Sequence, residues 1–166
     1  MKIRTKSARR GIVAAAISCA LCAALAGSAT AASASTITFT EPEKGASFRF
    51  IDNAPTAKLK HGIPTKISPG DELAIWNPLV SGGQRIGHLQ AFCVATKTAR
   101  NFVTAAFECP GTFVFSNGTL TALAVLTKSG AEGAITGGTG IYANASGTFA
   151  SKESKGVTTT TVTLVP

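Results

Sequence analysis

From about residue 36 onward, β-branched and aromatic residues alternate with polar ones in short runs, each bounded by Gly, Pro or Asn. Alternation at a period of two gives a strand one apolar face, and no stretch repeats apolar residues at the spacing of an amphipathic helix. The pattern predicts strands over 36–40, 48–53, 72–80, 86–97, 102–115, 119–127, 134–136, 148–151 and 157–165. Some of these are short enough to be pieces of longer irregular strands, so the expected count is eight or nine. Residues 55–69 contain Pro55, Pro64 and Pro69 and no clean alternation, which predicts a long connection across one end of the sheet.

Two hairpins follow from local chemistry. Asn117 and Gly118 form the preferred two-residue loop with positive φ at both positions. Placed at the tip, they pair Phe115 with Leu120 and Phe113 with Ala122 on one face, and Val114 with Thr121 and Thr112 with Leu123 on the other. Neither face is strongly polar, so both need cover, which a closed barrel that also self-associates provides. The second hairpin folds about Asn101, with residues 98–101 as its turn. Cys93 and Cys109 are equidistant from that point and fall opposite each other, where antiparallel Cα atoms lie about 4.5–5.5 Å apart, within disulfide range. A disulfide there would contribute roughly 3 kcal/mol by the chain-entropy argument.

Composition and charge change the picture mainly at the N-terminus. The full chain of 166 residues carries 16 Lys and Arg against 8 Asp and Glu, a net charge of +8. Five of those cations lie in the first ten residues, ahead of an uncharged apolar run and the small-residue sites Ala29-Thr30-Ala31 and Ala32-Ser33-Ala34. This is the layout of a secretory signal peptide, cleaved after Ala31 or after Ala34. Residues 32–166, the expected single domain, keep 11 cations and 8 anions, so net +3. The basicity belongs to the leader, which excludes a nucleic-acid-binding domain. Cys19 and Cys22 fall in the apolar run, without the large aliphatic residue that a lipid-anchored cysteine needs at the third position upstream, and Arg9-Arg10 lacks the surroundings of a twin-arginine signal. The expected location is therefore secreted, extracellular or periplasmic, with no membrane span once the leader is removed, and this compartment permits a disulfide. The triplets Asn117-Gly118-Thr119 and Asn144-Ala145-Ser146 match glycosylation sites, but turn composition alone produces such triplets.

Three segments in order resemble the allene oxide cyclase/dirigent β-barrel superfamily, in particular its small secreted bacterial members. They are Ser68-Pro69-Gly70-Asp71-Glu72-Leu73 followed by Asn77-Pro78-Leu79, then Arg85-Ile86-Gly87 running into Phe92-Cys93-Val94, and then Ala134-Ile135-Thr136-Gly137-Gly138-Thr139-Gly140-Ile141-Tyr142 with Gly147-Thr148 beyond. The glycine-rich segment follows a strand and opens no helix, so it reads as a tight turn and not as a phosphate loop. The resemblance implies an all-β, eight-stranded antiparallel barrel, trimeric in the plant relatives, whose cavity holds a small apolar molecule without a cofactor. It places Asp52 near the pocket carboxylate of the plant cyclase, Asn77 on its pocket asparagine, Leu73 on an apolar wall position and Cys93 on a pocket cysteine. The pocket tyrosine falls near Glu132, a departure that speaks against the plant cyclisation.

The residues themselves nominate Asp52, which shares a strand face with Phe50 and Phe48; burial in an apolar cavity would raise its pKa. Candidate catalytic groups are Asp52 and Asn77, and candidate ligand contacts are Phe50, Asp52, Leu73, Asn77 and Cys93. Asn77 precedes Pro78, which equally suits a structural turn. Trp76 is expected on the outer face. His61 and His88 have no nucleophile placed beside them, Asp71-Glu72 reads as a solvated turn, and no Cys/His cluster suggests a metal. Three functions fit: dirigent-like positioning of a reactive hydrophobic ligand, a cofactor-free cyclase or isomerase acting on an oxidised fatty-acid or phenolic substrate, or a barrel filled by its own side chains.

Overall fold

A computed structural model describes residues 34–60 and 63–165. The signal peptide expected over residues 1–31 and His61 lie outside the described residues. The strands are β1 (Ser35–Pro42), β2 (Ser47–Ile51), β3 (Leu59–Lys60), β4 (Ile63–Pro64), β5 (Glu72–Ser81), β6 (Gln84–Ala95), β7 (Phe107–Phe115), β8 (Gly118–Thr127), β9 (Gly130–Gly140), β10 (Ser146–Ser154) and β11 (Val157–Val165). Strands β5 to β11 form an antiparallel meander, and β1 pairs with β11 along its whole length. The barrel closes where Thr40 of β1 meets Val80 of β5. Beyond that point the edge of β5 is taken by β2, from Ser47 opposite Trp76 to Ile51 opposite Glu72. Strands β1 and β2 thus share one stave, interrupted at residues 43–46. The result is a closed eight-stranded antiparallel barrel with one extra strand.

Alternation decides which residues fill it. Phe39, Phe113, Leu120, Leu79, Ile135, Phe149 and Val162 point inward and are almost fully buried. Phe39 and Phe149 each set an edge against Phe113, at centroid distances of 5.4 Å and 5.5 Å, and Phe115 adds Tyr142 at 5.4 Å. Burial raises the Tyr142 pKa above its ordinary value. These aromatics plug one end of the barrel. Ile67 and Phe107 continue the same core, and Phe50 and Phe102 pack against it, with Phe50 edge-on to Phe102 at 5.1 Å and Phe102 stacked on Phe107 at 5.8 Å. The chain reaches this part of the core through the long connection foreseen over 55–69, which is held down by Asp71.

Asp71 is fully buried, and its carboxylate accepts backbone N–H bonds from Ser68 at 2.6 Å and Asn53 at 3.0 Å. The expected solvated turn is instead a buried anchor, because two N–H donors compensate the desolvated charge. Other differences have similar local causes. Residues 102–104 form a single 3-10 turn, capped by the Asn101 side chain accepting from the Thr104 N–H, and β7 begins only at Phe107. Strands β9 and β10 run the full lengths of their neighbours, although only 134–136 and 148–151 carry a readable pattern; beyond those runs positions such as Ala131, Gly133 and Gly147 are small, and small residues give little signal.

The β7–β8 hairpin turns one residue earlier than expected. Phe115 pairs with Gly118 and Phe113 with Leu120, leaving Ser116 and Asn117 as the loop. The two-residue change of register preserves which side chains share a face. Gly118 is needed for proximity: a Cβ there would sit 2.2 Å from the Thr139 carbonyl oxygen of β9. The fold about residue 101 holds, with Ala91 opposite Gly111 and Val94 opposite Glu108. Cys93 and Cys109 form the disulfide with Cα atoms 4.0 Å apart.

Candidate functional site

Inward positions in the middle of β6 to β9 are held by Ala91, Gly111, Ala122, Ala124 and Ala131, which are too small to meet across the barrel. They leave a cavity of about 240 Å³. Ile75, Leu89, Phe113 and Phe149 form apolar walls, and both disulfide cysteines lie on the lining. The rim carries Phe48, 59% exposed, with Lys128, Glu153 and Thr158. A cavity of about 150 Å³ accepts benzene, so this space suits a body of one or two rings, or a short chain.

One polar cluster interrupts the apolar lining. Glu41 is the last inward residue of β1 and is 6% exposed. Thr160 of β11, fully buried, donates its hydroxyl to Glu41 Oε1 at 2.6 Å, and Asn77 Nδ2 of β5 donates to Oε2 at 2.9 Å. Ser151 of β10 lies 2.7 Å from the Thr160 hydroxyl. A threonine has one hydroxyl proton, and Glu41 receives it, so Ser151 is the donor in that pair. Both carboxylate oxygens are therefore oriented by neutral donors, and Ser151 keeps lone pairs free on the cavity lining. Asn77 is 8% exposed, and its Oδ1 is buried without a partner. Buried polar atoms are nearly always paired, so this oxygen is an unmet acceptor at the polar corner.

The structure brings only part of the expected set to this cavity. Asn77 and Cys93 line it. Leu73 is buried beyond the lining, and Phe50 packs on Phe102. Asp52 lies past the end of β2, where its Oδ2 accepts the Ala57 N–H at 2.9 Å. Strand β2 stops at Ile51, so the face shared with Phe50 does not extend to the carboxylate. The buried carboxylate at the cavity is Glu41, which the sequence reading did not single out. Its signal was available: Ile37, Phe39 and Glu41 continue one inward alternation. Trp76 does face outward, stacked on His88 at 5.5 Å with the Arg85 guanidinium 5.1 Å from its ring centre.

Among the described residues there is no group of His, Cys, Asp and Glu arranged to hold a metal ion, and no helix long and apolar enough to cross a membrane. No protein-family model and no curated protein matches the chain. Solved structures do. A pyocyanin demethylase superposes with a TM-score of 0.62 at 20% identity, covering 79% of this chain and all (100%) of that one. A pterocarpan synthase dirigent protein superposes with a TM-score of 0.53 at 18% identity, covering 80% of this chain and 89% of that one. The chain has a dirigent-like barrel fold. At these identities the likeness concerns architecture, and the chemistry has to be argued from the cavity itself.

Proposed function

We propose that this protein is a secreted barrel that binds a small, largely hydrophobic molecule in its cavity and holds it in one reactive conformation. The observation that carries the reading is the unpaired, buried Asn77 Oδ1 beside the oriented Glu41 carboxylate, set in an otherwise apolar space of about 240 Å³. Apolar walls supply affinity, and one polar corner fixes orientation. Binding a reactive molecule in a single pose can account for much of a rate or stereochemical effect without covalent participation by the protein. The two structural neighbours are both named for small-molecule chemistry, which supports a cavity in use over a barrel filled by its own side chains.

A second reading is favoured by Glu41 itself. A carboxylate aligned by two donors at a cavity wall is placed to take a proton from a bound substrate, as a cofactor-free cyclase or isomerase requires. In that case Glu41 is the base, Asn77 and Thr160 position it, and Asn77 Oδ1 receives a donor from the substrate. The outer wall supports self-association, trimeric if the family resemblance holds: Phe92, Leu123 and Val125 are 43%, 44% and 47% exposed on strands whose outward positions are ordinarily polar.

The test is native mass spectrometry on protein recovered from its own host, compared with Ala124→Leu, which fills the cavity from β8 and leaves the polar corner intact. The expected result is a small apolar compound released from the wild-type protein and absent from the variant. The same spectrum reads the subunit number. An empty wild-type protein, with no thermal stabilisation by a panel of one- and two-ring compounds, would overturn the binding reading.

A further inference from the structure

The interruption between β1 and β2 leaves a second space of about 170 Å³ at the barrel wall. It shares Glu41, Phe48, Asn77, Glu153 and Thr158 with the main cavity, so the two spaces adjoin along these residues. Its lining includes three carboxylates, Glu41, Glu43 and Glu153, and neither lysine nor arginine. Lys128, the cation on the cavity lining, belongs to the main space and not to this one. Glu43 and Glu153 are exposed, whereas Glu41 is buried with both oxygens already accepting from neutral donors. An acidic group of this kind could be a solvated rim, but Asn77 adds an independent sign. It lies on the lining common to both spaces, more than nine-tenths buried, and its Oδ1 has no donor.

We infer that the β1–β2 seam is the subsite for a positively charged nitrogen, and that the occupant is an apolar ring system bearing a protonated amine or a comparable N–H cation. The ring lies among Ile75, Leu89, Phe113 and Phe149, and the cation faces the seam. There it meets Glu43 and Glu153 from the solvent side and Glu41 from within, and an N–H satisfies Asn77 Oδ1. The seam lining offers three carboxylates and no cation, so it favours a positively charged group over a neutral one and repels an anionic one. This inference rests on the small-molecule-binding reading above and names its ligand class.

The experiment compares three probes with one skeleton: 2-naphthylmethylammonium, 2-naphthylmethanol and 2-naphthoate, titrated calorimetrically at low ionic strength. The expected order is cation, then alcohol, then anion, with the cation about tenfold tighter than the alcohol and that preference shrinking as salt is added. In the double variant Glu43→Gln/Glu153→Gln the preference should fall to about twofold while the alcohol binds as before. Equal binding of cation and alcohol by the wild type would overturn this inference and leave the binding reading standing. Full retention of the preference in the double variant would also overturn it. Failure of all three probes to bind would count against both.

Discussion

Thr160→Val tests the polar corner most directly, because it removes one hydroxyl and almost no volume from a fully buried position. Two hydrogen bonds go with it: the 2.6 Å bond donated to Glu41 and the 2.7 Å bond from Ser151. A bond to a charged group contributes about 1.5–3 kcal/mol, and a buried hydroxyl left with a poorer partner adds up to about 1 kcal/mol. The expected loss is therefore about 3 kcal/mol, which for a domain of this size lowers the melting temperature by roughly 10 °C. Urea unfolding followed by the fluorescence of Trp76, the chain's single tryptophan, reads the loss. Pairing the change with Glu41→Gln closes a double-mutant cycle, in which the Thr160 contribution should shrink to about 1 kcal/mol because the acceptor is now neutral. A loss below about 0.5 kcal/mol in Thr160→Val would refute the reasoning, since the carboxylate would then be satisfied elsewhere.

Gly138→Ala should cost at least about 3 kcal/mol or abolish folding, because a Cβ there would lie 2.4 Å from the Tyr142 carbonyl oxygen and 2.6 Å from that of Thr119. Gly137→Ala, whose Cβ meets only the Thr121 hydroxyl at 3.1 Å, should stay within about 1 kcal/mol, and equal urea midpoints for the two variants would contradict this account. Replacing Cys93 and Cys109 together by serine should remove about 3 kcal/mol, read as a lower denaturation midpoint that matches wild type under reductant. Tyr142 gives a pH dependence: its pKa is raised in the folded protein, so its contribution is complete below the unfolded value of 10.0 and lost as pH rises through the folded one. Tyr142→Phe should flatten that alkaline decline in melting temperature.

Where strands alternate large and polar residues, the sequence shows them directly, and the Cys93–Cys109 pairing follows from hairpin symmetry alone. Glu41 was harder to see. It is followed by Pro42, Glu43, Lys44 and Gly45, which look like an ordinary solvated turn, and its meaning depends on Thr160, 119 residues away. Asp52 shows the reach of periodicity, which says which face a residue takes only while the strand lasts, and β2 ends at Ile51. Asp71 was misread because a carboxylate after Pro-Gly usually meets water, and nothing local reveals that Ser68 and Asn53 supply its donors. Asn77 was placed by resemblance, while its unpaired oxygen is visible only once β1 and β5 are side by side.

The bond from Thr160 to Glu41 also orders events in time. The carboxylate is carried by the first strand of the barrel and its donor by the last, so no shorter segment of the domain contains both. A chain emerging with its N-terminus first holds Glu41 from the beginning, but the acidic corner is complete only when β11 arrives and seals the wall. Under the proposed function, ligand capture through that corner would report that the barrel has closed. A partly folded intermediate that lacks β11 has the apolar walls of the meander but not the Thr160 hydroxyl that orients the carboxylate.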